Sequence, residues 1–186
     1  MIEDINSAVE VLKKGGLILY PTDTIWGIGC DATNSKAVEK IYSIKKRPDN
    51  KSMLILLDRE DKLSQYVDVP DIAWDIIRVN DKPLTIIYPG AVNLAENLIA
   101  EDGSVGIRIT RDEFCTRLIR EFGKPVVSTS ANVSGSKWPA NFGEIDGSIK
   151  QAVDYVVKHR QSNTGKANPS GIIKLGPGGE VKVIRE

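Results

Sequence analysis

The chain has 186 residues, 25 basic and 25 acidic side chains, one His, two Cys and 41% apolar residues. A domain of this size buries roughly 70% of the surface its unfolded chain exposes, so it needs neither disulfides nor a structural metal to fold. The balanced charge argues against a chain whose main work is coating nucleic acid. The longest aliphatic run, residues 53–57, is far short of the ~20 residues of a membrane-spanning helix.

Ile5, Ala8, Val9 and Leu12 recur at helical spacing before Gly15-Gly16, which predicts an amphipathic helix with a glycine stop. A buried strand is expected at 17–20, ending at Pro21. A second helix follows through Ala37, Val38, Ile41 and Ile44, opened by Asn34 and Ser35 and closed before Pro48. Strands are expected at 53–57, 84–88, 105–109, 126–128 and 155–157, with helical stretches at 60–66, 71–79, 115–122 and 144–152. Two last strands, 171–175 and 180–184, flank Gly176-Pro177-Gly178-Gly179 and read as a terminal hairpin. Interleaved helices and strands closed by a hairpin predict an α/β (α+β) fold, a mixed sheet with flanking helices. With no repeat and no linker-like composition shift, residues 1–186 read as a single domain.

The start Met1-Ile2-Glu3-Asp4 lacks the positive charge and apolar stretch of a signal peptide, so the cytosol is the expected compartment. Cys30 and Cys115 stand far apart without a paired spacing and read as buried thiols. His159, between Lys158 and Arg160, reads as a solvated side chain. No P-loop, no dinucleotide glycine fingerprint and no Gly-x-Ser-x-Gly elbow is present, so a nucleotide site must be built by other means.

Three segments carry polar groups where strands or helices end. In Tyr20-Pro21-Thr22-Asp23-Thr24-Ile25-Trp26-Gly27-Ile28-Gly29, hydroxyls and a carboxylate follow a strand, and the two glycines are read as loop positions that admit a close neighbour. Local turn hydrogen bonding is the alternative reading. Lys45-Lys46-Arg47-Pro48-Asp49-Asn50-Lys51 gathers cations at a helix end, either as dipole capping or as a phosphate grip. Ser128-Thr129-Ser130-Ala131-Asn132-Val133-Ser134-Gly135 follows a strand with small hydrogen-bonding side chains. Arg108, inside an apolar strand, needs a buried partner or a ligand, and a ligand carboxylate suits it.

In this order and spacing the segments resemble the YrdC domain family. Pro21 to Gly29 is similar to the family's opening motif Pro-Thr-Glu/Asp-Thr-x-Tyr-Gly-Leu-Gly, and Lys45-Lys46-Arg47-Pro48 to its Lys-x-Arg-Pro. The likeness continues through Val105-Gly106-Ile107-Arg108 and Ser128 to Gly135. Trp26 stands for the usual Tyr, and Pro169-Ser170-Gly171-Ile172-Ile173-Lys174 departs from the family's Ser-Thr-Val-Val/Ile-Asp.

The resemblance implies a twisted mixed sheet with a concave basic face and a reaction of L-threonine, bicarbonate and ATP, with Mg²⁺ on the phosphates. Its product, threonylcarbamoyl-AMP, would pass to a separate complex that modifies tRNA. By the same resemblance, Lys45, Arg47 and Lys51 are the catalytic cations, and Thr24, Arg108, Ser128 and Ser170 hold threonine. Arg47, Lys51, Ser104, Ser130, Asn132 and Arg185 hold ATP, and no residue is assigned as a metal ligand. The segment 135–140, with Lys137 and Trp138, is the expected lid. Two other readings stay open: a module that binds tRNA or double-stranded RNA, and a YrdC-like paralogue with another acceptor or a hydrolytic activity.

Overall fold

Helix α1 (Ile2–Lys13) buries Ile5, Ala8, Val9 and Leu12, the apolar positions of its sequence pattern, and leads into β1 (Ile18–Tyr20). The computed structural model describes residues 1–46 and 53–186, so Arg47, Pro48 and Lys51 lie outside the described residues. Helix α2 (Ser35–Lys45) starts as its sequence dictates: the Asn34 side chain accepts hydrogen bonds from the amides of Lys36 and Ala37. The remaining helices are α3 (Asp71–Val79), α4 (Glu113–Phe122) and α5 (Gly147–Ala152). Asp112 caps α4, and Gly123, at φ +79°, ends it in the left-handed conformation that glycine adopts without strain.

The other strands are β2 (Gly27–Gly29), β3 (Leu54–Leu57), β4 (Leu84–Tyr88), β5 (Val105–Ile109), β6 (Val126–Ser130), β7 (Tyr155–Val156), β8 (Gly171–Leu175) and β9 (Val181–Arg185). Among the described residues they form one sheet in the order β7-β1-β2-β6-β3-β5-β4-β8-β9. The pairs β1/β7, β3/β5 and β4/β8 are parallel and the others antiparallel, so the sheet is mixed and the terminal hairpin is present.

Side chains alternate between the two faces of the sheet. On one face Ile18, Tyr20, Leu56 and Val126 pack against α1 and α4. On the other, Leu19, Ile28, Ile55, Val127, Ile86 and Ile107 pack with α2 and with Ala73 of α3. Helices α1 and α4 cover only half of the first face. Among the described residues that face stays open over β5, β4 and β8, and Gly106, Arg108, Thr85, Ile87, Ile172 and Lys174 line a cleft there.

Strand β2 corrects the reading of Gly27 and Gly29 as loop positions. Both glycines are set by packing: a Cβ at Gly29 would sit 2.6 Å from the Tyr20 ring and 2.8 Å from the Val127 carbonyl oxygen. The Tyr20 hydroxyl donates to that same carbonyl at 3.0 Å, and burial pushes its pKa up. Further differences are local. The stretch at 60–66 is a 3-10 helix over Glu60–Gln65, the fifth helix begins at Gly147, and β6 extends to Ser130. His159 is half-buried with its ring stacked on Phe114 at 5.7 Å, which corrects the expectation of a solvated side chain. Cys30 and Cys115 are free and buried, and burial raises both thiol pKa values.

Asp4 ties α1 to the segment after β7. Its carboxylate, 5% exposed, accepts from the Tyr155 hydroxyl at 2.8 Å and from the amides of Lys158 at 2.8 Å and His159 at 3.1 Å. Burial raises its pKa, but those bonds and the N-terminal ammonium outweigh burial and hold it below the usual carboxylate value. Asp4→Ala should therefore lose about 2–3 kcal/mol of stability at neutral pH in urea unfolding. A depressed carboxyl stabilises above its ordinary pKa and ceases to as pH falls through the lowered value, so the difference between parent and variant should shrink in acid.

Candidate functional site

The open half of the sheet forms a cleft of about 670 Å³. Arg108 enters it from β5, beside its pairing partner Leu56 of β3, and is 3% exposed. Its Nη2 lies 3.0 Å from Asp23 Oδ1, yet the contact is not a hydrogen bond: Nε and Nη2 of Arg108 and Oδ1 of Asp23 are buried without an aligned partner among the described residues. Nε and Nη2 form the edge that normally grips a carboxylate with two bonds. Here Nη2 is held by the charge of Asp23, while Arg108 itself lines the cleft. Burial raises the Asp23 pKa, with Arg108 pulling the other way.

Opposite Arg108, the β1–β2 connection contributes Thr24 and Trp26, and β6 contributes Ser128, Thr129 and Ser130. The Thr24 hydroxyl is within 3.0 Å of the Thr22 hydroxyl, which in turn donates to the Ile25 carbonyl, so the turn is fixed by its own side chains. Trp26 packs on Phe142 with ring centroids 4.9 Å apart. Trp138, 40% exposed, stands on the cleft wall and brings one residue of the expected lid to the site.

The third wall comes from the terminal hairpin. Ser170 and Thr85 share a hydroxyl contact of 2.8 Å, and Arg185 holds the Ser170 carbonyl through Nε at 3.0 Å and Nη2 at 2.7 Å. Burial, and the charge of Arg108, lower the Arg185 pKa. Ser104 donates to Asp102 Oδ1 at 2.6 Å, and Lys174 pairs with the other carboxylate oxygen. Hydrogen bonds from Lys174 and Ser104 bring the Asp102 pKa down to about 2. Among the described wall residues the cations are Arg108, Lys174 and Arg185, and the carboxylates Glu101 and Asp102.

Of the residues expected from sequence, Thr24, Ser104, Arg108, Ser128, Ser130, Ser170 and Arg185 converge on this cleft. Two expected residues sit behind its wall. Lys45 is 1% exposed, and its ammonium donates to the carbonyls of Ser130 and Asn132, each at 2.6 Å, and to Asn132 Oδ1 at 3.2 Å. In the ligand-free protein Lys45 thus clips the loop after β6 to the end of α2. The Ser134 amide, bound to the Lys45 carbonyl at 2.9 Å, closes the same clip. Asn132 also turns inward, accepting from the Ser130 hydroxyl at 2.5 Å and donating to the Ser136 carbonyl at 2.5 Å. Arg47 and Lys51 lie outside the described residues. Thr85, Asp102 and Lys174 escaped the sequence reading. The alternation Thr85, Ile87 on β4 and Ile172, Lys174 on β8 was the available signal, but it needed the knowledge of which face stays uncovered.

The family model described as telomere recombination, covering Sua5, YciO and YrdC, matches residues 10–186. A threonylcarbamoyl-AMP synthase of Pseudoalteromonas translucida is 35% identical over 172 residues, covering 90% of this chain and 91% of the relative. The crystal structure of E. coli YciO superposes with a TM-score of 0.87 at 27% identity, over 100% of this chain and 90% of that one. P. abyssi Sua5 complexed with L-threonine gives a TM-score of 0.82 at 22% identity, a likeness of fold over 92% of this chain, which spans only 50% of that longer protein. A match over nearly the whole sequence, on a fold that reproduces theirs, makes this chain a member of the Sua5/YciO/YrdC family.

Proposed function

We propose that the chain is a threonylcarbamoyl-AMP synthase, working as one domain in the cytosol on L-threonine, bicarbonate and ATP. The observation that carries this reading is the buried Arg108, which lines a cleft together with Thr24, Ser128, Ser130 and Ser170. A buried guanidinium with spare donors is a costly feature unless an anion completes it. The surrounding hydroxyls suit the ammonium and hydroxyl of a small polar amino acid. Relatives of that name, similar along most of the chain, support the same reading.

In this reading Thr24, Arg108, Ser128 and Ser170 hold threonine, with Arg108 on its carboxylate. Ser104, Ser130 and Arg185 hold the nucleotide with Arg47 and Lys51, while Asn132 keeps Ser130 in place. Threonine's amine and bicarbonate condense to a carbamate with loss of water. A carbamate oxygen then attacks the α-phosphate of ATP, and the bond to pyrophosphate breaks in line. Two anions must approach each other, so fixed cations on the cleft lower the barrier, and holding the short-lived carbamate in place supplies much of the rest. The described residues do not form a site for Mg²⁺ by themselves: no group of three or more His, Cys, Asp or Glu is placed together, and Asp102 is engaged by Lys174 and Ser104. Mg²⁺ belongs with the ATP phosphates. The product would pass to the complex that transfers the threonylcarbamoyl group to tRNA.

The test is pyrophosphate release from ATP, with threonine or bicarbonate left out in turn. Release should require both, and threonylcarbamoyl-AMP should be detected by mass. Release that is indifferent to threonine would remove this reading in favour of a paralogue with another acceptor.

A further inference from the structure

We propose that Asp23 is a positioning residue for Arg108: from behind the cleft wall its carboxylate holds the guanidinium so that it is presented to the carboxylate of the amino-acid substrate. This rests on the synthase reading and adds to it a residue that lines no part of the described cleft.

The geometry has three parts. Arg108 is 3% exposed, its Nη2 lies 3.0 Å from Asp23 Oδ1, and the two residues stand on different cavities, Arg108 on the cleft and Asp23 behind it. An unopposed guanidinium would swing toward another acceptor, because a buried charge without a counter-ion is destabilised by several kcal/mol. Asp23 supplies the opposing charge without aligned hydrogen bonds, so it fixes the direction of the guanidinium by charge. Asp23 is itself held in place by its chain neighbours, since Thr22 and Thr24 lock the turn on both sides of it.

Asp23 lines a second cavity of about 280 Å³, whose other charged residues are Glu60, Asp81, Lys82, Arg111 and Asp112. Arg108 and Arg160 favour its ionised form, while Asp112 opposes it. Asp112 is largely neutralised by Arg160, which donates to it at 2.5 Å. Burial raises the Asp23 pKa, so protonation of Asp23 should release Arg108 at a higher pH than an ordinary carboxylate would.

The experiment is steady-state pyrophosphate release by the parent, Asp23→Asn and Asp23→Glu, with threonine varied across pH. Asp23→Asn should raise KM for threonine by at least about tenfold while kcat changes by less than about threefold, a split that a general loss of folding would not give. The parent's kcat/KM for threonine should fall on the acid side, and the Asn variant should lose that limb. Asp23→Glu should recover most of the affinity. An active parent with an Asn variant of unchanged or lower KM overturns the proposal and leaves the synthase reading standing. A parent without threonine-dependent turnover sinks both. The ligand-free pair is read separately by a double-mutant cycle of Asp23→Asn with Arg108→Gln in urea unfolding. Clear coupling is expected there, and additive effects would also overturn the proposal.

Discussion

Arg108→Gln should lower kcat/KM for threonine by about a hundredfold to a thousandfold, about 3–4 kcal/mol, with KM for ATP within about threefold of the parent. The argument is electrostatic and local. Arg108 is the buried cation on the cleft wall it shares with Thr24 and Ser128, and Gln keeps a polar side chain while removing the charge and shortening the reach. The same substitution strips Asp23 of its counter-ion, so it should also destabilise the empty protein, and the pH dependence separates the two effects. Burial already raises the Asp23 pKa against the pull of Arg108, and without that pull it rises further. A carboxyl raised by folding contributes stability that is full below its ordinary pKa and lost as pH rises through the raised value. The stability deficit of the variant should accordingly be small near about pH 4 and largest at neutral pH, whereas the loss of threonine affinity should persist wherever the substrate carboxylate is ionised. Equal threonine kinetics for parent and variant would move the carboxylate site elsewhere in the cleft.

Arg108 was legible in the sequence because an ion inside the apolar run Val105–Ile109 has to be answered by something. The answer was not legible: Asp23 lies more than eighty positions away in the chain, and only the fold brings them together. The same contrast runs through the architecture. Helices α1 and α2 announced themselves by apolar spacing and by the Asn34 cap, and the terminal hairpin by its Gly-Pro-Gly-Gly turn. Strand β2 did not, because Gly-Ile-Gly carries no alternating pattern and glycine usually marks a turn. Gly29 is required by the Tyr20 ring and the Val127 carbonyl on neighbouring strands, which no local rule contains. The contacts of Lys45 were not legible for a related reason. A lysine in the last turn of a helix satisfies the helix dipole and is ordinarily wet. Its burial follows from the loop after β6 folding its carbonyls over the end of α2. What pattern reading captures is each element's own preference; what it misses is which polar groups two remote elements hand to one another.

Lys45→Met should remove about two orders of magnitude from kcat while lowering stability by only about 1–3 kcal/mol, although no atom of the described cleft wall is altered. The ammonium donates to the carbonyls of Ser130 and Asn132 at 2.6 Å and is 1% exposed. Methionine fills a similar volume, and deleting a buried charge regains its desolvation cost, which offsets part of the lost bonding. The carbonyls left behind then seek other donors, and the segment from Ser130 to Ser134 is pulled out of register with α2, to which the Ser134 amide also binds. Ser130 is on the wall, and its hydroxyl is aimed by Asn132 Oδ1, so a loop shift of about an ångström misplaces a nucleotide contact without deleting it. Urea unfolding and pyrophosphate release measure the two halves of the prediction, and a crystal structure of the variant decides between causes. A displaced 130–134 loop in an inactive variant confirms that Lys45 works through the loop. An inactive variant with the loop unmoved would return Lys45 to the role of a cation acting directly on the phosphates.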